Sequence, residues 1–87
     1  MKALKLSNIT HKDSPIYYRR NYTAQALLDI MGKEQEVPVE FTIETLPSGG
    51  TEITITEMGE VDYPRAPLLT EVKRIIIATD SSGGLPV

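Results

Sequence analysis

The sequence predicts an α+β domain: a four-stranded antiparallel meander with one C-terminal helix packed on one face. Two patterns carry that prediction. Between Val37 and Met58, apolar and polar residues alternate on both sides of a Pro-Ser-Gly-Gly turn. Between Pro67 and Asp80, apolar residues recur with helical spacing instead. A period of two marks a sheet with one wet face, and a period near 3.6 marks an amphipathic helix.

The hairpin is the firmest element. Val37, Val39, Phe41 and Ile43 share one parity, with Pro38, Glu40, Thr42 and Glu44 on the other. Past the turn, Ile53 and Ile55 alternate with Glu52, Thr54 and Thr56. Ile43 and Ile53 must share a face, so the loop holds an odd number of residues. Ser48–Gly50 is the three-residue choice and Leu46–Gly50 the five-residue choice; both place glycine where positive φ is needed.

Ahead of the hairpin, Ala3–Ile9 reads as a short first strand, with Leu4 and Leu6 on one side. The segment Ile16–Met31 admits two readings. As a strand, its even positions Tyr18, Tyr22, Ala24, Ala26, Leu28 and Ile30 form an apolar stripe. As a helix over 22–31, Ala24, Leu27, Leu28 and Met31 align, giving β-β-α-β-β-α. Pairing logic favours one long, bent strand. With Ile30 opposite Val37, the pairs Leu28–Val39, Ala26–Phe41 and Ala24–Ile43 all match core with core. Met31–Glu36 then becomes the connecting loop. Toward its start, the same strand would pair Tyr22 with Leu4 and Tyr18 with Asn8.

Gly59–Pro67 reads as an irregular crossover. Leu68, Leu69, Val72, Ile75 and Ile76 then form the helix stripe, with Pro67 in its first turn and Glu71–Arg74 paired on its outer side. Ser81–Gly84 stops the helix, and residues 81–87 form a flexible tail. Residues 1–87 make one domain, and the apolar fraction of 40% is enough for a core.

Composition narrows the function. The formal charge of −3 weighs against a general nucleic-acid binder and against a polybasic membrane patch. The absence of cysteine removes disulfides, thiolate metal sites and a cysteine nucleophile. The first residues lack a signal-peptide pattern, and no apolar run approaches a membrane span. A soluble, cytoplasmic protein is expected, with no membrane partner.

The most suggestive cluster is Tyr17, Tyr18, Arg19, Arg20, Asn21 and Tyr22. Interleaved aromatics and arginines on a strand suit single-stranded nucleic acid, by stacking on bases and holding phosphates. The competing reading packs Tyr18 and Tyr22 in the core, with Arg20 snorkelling and Arg19 balancing glutamates. The loop Asp62–Arg65 adds Tyr63 and Arg65 as exposed contact residues. Tyr17, Arg19, Arg20, Tyr63 and Arg65 are thus the candidate contacts for nucleic acid or a protein partner.

Other groupings fit catalysis poorly. His11, Asp13 and Ser14 lie too close in sequence for triad geometry, and no second histidine completes a zinc site. Glu40, Glu44 and Glu52 fall on a solvated face, where carboxylate pKa values stay ordinary. The Ser48–Gly50 and Ser82–Gly84 stretches lack the lysine of a phosphate loop. No catalytic, cofactor or metal residue is expected.

Size supplies the last expectation. Four strands span roughly 15–20 Å, whereas one helix is about 10 Å wide. Something besides the helix must cover the apolar face. The sequence therefore suggests a homodimer or a protein-binding module, unless the crossover and tail fill the gap.

Overall fold

A computed structural model describes residues 1–86. Its order is β1 (Lys2–Lys12), β2 (Arg19–Ile30), β3 (Lys33–Thr45), β4 (Thr51–Met58) and α1 (Arg65–Ser81). The strands form one antiparallel sheet in the order β1-β2-β3-β4, with α1 on its apolar face. The expected meander is present, and residues 19–30 are strand rather than helix.

Alternation decided that segment. Tyr22, Ala24, Ala26 and Leu28 are all buried, while Asn21, Thr23, Gln25 and Leu27 between them are not. They meet Val37, Val39, Phe41 and Ile43 of β3, and Leu68, Val72 and Ile76 of α1. Burial of one complete face outweighs the helix preference of Ala, Gln and Leu.

The register between β2 and β3 differs from expectation. Tyr22 faces Phe41, Ala24 faces Val39 and Ala26 faces Val37, so the parity holds but the pairing slides. Lys33–Glu36 belong to β3 rather than to a loop, and Ile30 pairs with Lys33. Two residues turn the chain: Met31 at φ 54° and Gly32 at φ 84°. Positive φ at both positions is the tight turn whose twist matches the strands it joins. The polar Lys33–Glu36 run has its own cause. β4 reaches only as far as Val39, so this part of β3 is itself a sheet edge, where charge deters mispairing.

β1 is longer than expected and is paired differently. His11, not Leu4, lies opposite Tyr22, and Ala3 lies opposite Leu28. Register shifts fall between Ala3 and Lys5 and between Ser7 and Thr10. Asn8, at φ 49°, sits in the second shift. The expected sharing of a face by Leu4 and Leu6 fails here: Leu4 falls in a bulge and is 37% exposed, and Ala3 takes its core place. Bulges bend a strand and increase its twist.

The β3–β4 loop is Leu46–Gly50, the five-residue choice. Leu46 N–H donates to the Gly50 carbonyl at 2.7 Å, and Gly49 N–H to the Leu46 carbonyl at 2.9 Å. Gly49 adopts φ 94°, which a side chain would resist.

The helix begins at Arg65, two residues before Pro67. Its exit is a Schellman motif: Gly83 N–H donates to the Asp80 carbonyl and Gly84 N–H to the Thr79 carbonyl. Beyond it, Leu85 packs against the core, and the Pro86 carbonyl accepts a bond from the Tyr22 hydroxyl at 3.3 Å. Val87, the last residue of the expected tail, lies outside the described residues. Val61 and Tyr63 of the crossover also pack on the core. Crossover, helix and tail together bury the inner face of β2 from Tyr22 to Leu28 and of β3 from Val37 to Ile43. The size imbalance therefore narrows to β4, where Ile53 and Ile55 stay half-buried.

Candidate functional site

The candidate contacts separate into two groups. Arg65 opens α1, and Asp80 in its last turn holds Arg20. Fifteen helical steps at about 1.5 Å put roughly 22 Å between those positions. Tyr63 and Arg65 therefore do not join Tyr17, Arg19 and Arg20 in one surface.

At the β2 end, the arginines are already engaged. Arg19 Nη2 donates to Glu44 Oε1 at 2.9 Å. Arg20 grips Asp80 with two bonds, at 3.1 and 3.3 Å. Asp80 raises the Arg20 guanidinium above its ordinary value, against the opposing effect of burial. Tyr22 is buried, stacked on Phe41 at 5.3 Å between centroids and tilted against His11 at 5.2 Å. Tyr18, expected in the core, is 43% exposed, because the chain turns at residues 17–18 before β2 begins. Tyr17 is 97% exposed and meets Tyr18 edge-on. His11, Asp13, Ser14 and Tyr17 border a cleft of about 350 Å³ closed on one side by Leu85 and Pro86. Ser14 is spent on its own turn, where its hydroxyl accepts from the Ile16 N–H at 3.2 Å.

At the other end, Tyr63 and Arg65 line a shallow depression with Met58, Gly59 and Leu68. Tyr63 turns its ring toward the core, and Arg65 is exposed.

The outer face of the sheet is charge-segregated. Lys2, Lys5 and Lys12 lie along β1, while Glu40 and Glu44 of β3 lie directly opposite Glu57 and Glu52 of β4. Like charges in that position repel. Arg19 relieves Glu44, and Lys12 relieves Glu40 at 3.2 Å. Among the described residues, no group of three or more His, Cys, Asp or Glu side chains could hold a metal.

The two sheet edges are treated very differently. At β1, Glu71 Oε1 accepts the Ala3 N–H at 3.0 Å, and Arg74 Nη2 donates to the Ala3 carbonyl at 2.7 Å. Glu71 and Arg74 also bond each other, so one ion pair clasps the edge backbone. Arg74 and the Ala3 N–H together hold the Glu71 carboxyl below its ordinary value. The sequence displayed the Glu71–Arg74 spacing but not its target, because nothing local links it to Ala3.

β4 has no such cover. It is a terminal strand, and α1 lies more against β1 than against β4. The Leu46–Gly50 bond closes the hairpin. By the alternation of antiparallel pairs, Thr42–Thr54 is then a bonded pair and Ile43–Ile53 is not. Ile53 and Ile55 accordingly turn their backbone N–H and C=O groups to the open edge. Their side chains lie half-buried on the inner face.

Fold and surfaces together define a small α+β meander domain with one clasped edge and one open edge. Among the described residues, no helix is long and apolar enough to cross a membrane. Residues 1–81 match the model of the BB_0187 family, and the chain belongs to that family. The matched span ends with the last residue of α1. No curated protein and no solved structure matches the chain.

Proposed function

We infer that this protein is a soluble, cytoplasmic, non-catalytic protein-binding or assembly module whose contact surface is the β4 edge. The observation that supports this is the contrast between edges: β1 is bulged and clasped by Glu71 and Arg74, whereas Thr51–Met58 is left open. An open strand offers a row of backbone donors and acceptors that an added strand satisfies. Half-buried Ile53 and Ile55 add apolar area beside that row. The test uses the chain as bait in an extract of its native cell, next to a Thr54→Lys variant. Protein should be retained by the native chain and lost with the edge lysine. Equal capture by both baits refutes the edge as the contact surface.

A second reading, single-stranded nucleic-acid binding, draws support from the exposed Tyr17–Tyr18 pair. Against it stand the acidic balance and the carboxylate partners of Arg19 and Arg20. Titration with short single-stranded RNA at low salt decides it. Salt-sensitive binding lost in Tyr17→Ala would favour nucleic acid over protein.

A further inference from the structure

We propose that the occupant of the β4 edge is a second copy of the same chain, paired antiparallel about Thr54 to give a continuous eight-stranded sheet. This rests on the reading of β4 as the contact edge and adds the partner and the register.

The register follows from the strand itself. A two-fold axis through residue c places residue i opposite 2c − i of the other copy. Directly opposed residues share a face, so an axis on Thr54 sets Ile53 against the partner's Ile55 and Ile55 against the partner's Ile53. The inner face then gains a cluster of isoleucines where each copy alone leaves them half-buried. On the outer face, Glu52 meets the partner's Thr56, and no carboxylate opposes another. An axis on Ile53 leaves Ile55 against the partner's Thr51. One on Ile55 sets Ile53 against the partner's Glu57, which the bulge at Thr56 places on the outer side.

The backbone agrees. Ile53 and Ile55 are the residues whose N–H and C=O groups face the open edge, and this register makes them the hydrogen-bonded pair. Thr54, already bonded to Thr42, becomes the non-bonded pair on the axis. The helices do not obstruct it, because each α1 is drawn toward its own β1 by the Glu71–Arg74 clasp.

The native chain has no cysteine, so one introduced thiol reports cleanly. Thr54 and Glu52 are both exposed, and either accepts cysteine without touching the core. In the proposed dimer, the two copies of Thr54→Cys face each other with Cβ atoms about 4.5–5.5 Å apart. Two copies of Glu52→Cys lie about 13 Å apart along the strands, beyond the reach of a disulfide. Under mild oxidation of purified, folded protein, Thr54→Cys should form the covalent dimer about tenfold faster than Glu52→Cys. Equal rates overturn the register.

A second measurement uses charge. Thr54→Lys and Thr54→Glu each oppose like charges on the axis, so each alone should sediment as a monomer. Their mixture should dimerise, which association through another surface would not produce. A native chain that remains monomeric at several hundred micromolar overturns the homodimer. Edge-dependent capture of a foreign protein would survive that result. Capture that ignores Thr54→Lys would instead defeat the wider reading while leaving the cross-linking result in place.

Discussion

Met31 occupies the first position of the β2–β3 turn at φ 54°, and its side chain is 91% exposed. An L-residue in the left-handed region carries a cost of roughly 1–2 kcal/mol, which asparagine offsets by local hydrogen bonding. Almost no apolar burial is lost when the methionine side chain is removed, because so little of it is covered. Met31→Asn should therefore stabilise the fold by about 0.5–1 kcal/mol. For a domain of this size that raises the melting temperature by roughly 3–6 °C. Met31→Ala is the matched control. It removes the same side chain but keeps a residue with no affinity for positive φ, so it should melt near the native temperature. Thermal and urea unfolding followed by circular dichroism measure both. A Met31→Asn protein no more stable than Met31→Ala would show that φ strain does not limit this turn.

Gly59→Ala should destabilise by about 1–3 kcal/mol, since its new Cβ would fall 2.9 Å from the Pro38 ring and 3.2 Å from Val37, neither of which yields easily; a shift in the urea midpoint reports it. Glu71 gives a pH signature. Its carboxyl is held below the ordinary value by Arg74 and the Ala3 N–H, so the native state binds fewer protons than the unfolded chain. Its contribution is present above the unfolded carboxylate range and is lost as pH falls through the lowered folded value. Glu71→Gln should flatten the acid side of the stability profile, and an unchanged slope between pH 5 and pH 3 would refute the clasp as a titrating contact.

The parts of this fold legible in the sequence were those written in one residue's neighbours. The alternation from Val37 to Ile55 announced the hairpin, its parity and an odd loop. The Leu68, Val72 and Ile76 stripe announced the helix, and the Ser81–Gly84 stretch its stop. The β2–β3 register was not legible, because sliding Tyr22 from Leu4 to His11 and Phe41 leaves every parity unchanged. Only the tight turn at Met31 and Gly32 selects among such registers, and methionine is a poor advertisement for positive φ. The bulges in β1 were hidden for the same reason: Leu4 looks like a core residue until Ala3 takes its place. The candidate contacts fared similarly. Tyr17 is exposed as its position outside the strand allows, but the carboxylates that meet Arg19 and Arg20 come from residues 25 and 60 positions away.

The sequence alone determined that the chain would build a one-sided antiparallel sheet and an amphipathic helix, because periodicity dictates which side chains leave water. Tertiary structure decided which edge of that sheet would stay open. Ala3 and the Glu71–Arg74 pair are brought together only when the helix lies across the sheet. Closing β1 in this way leaves β4, with Ile53 and Ile55, as the edge available to another strand. Backbone hydrogen bonding is satisfied by position in space rather than by residue type, so no reading of composition or spacing could have assigned it.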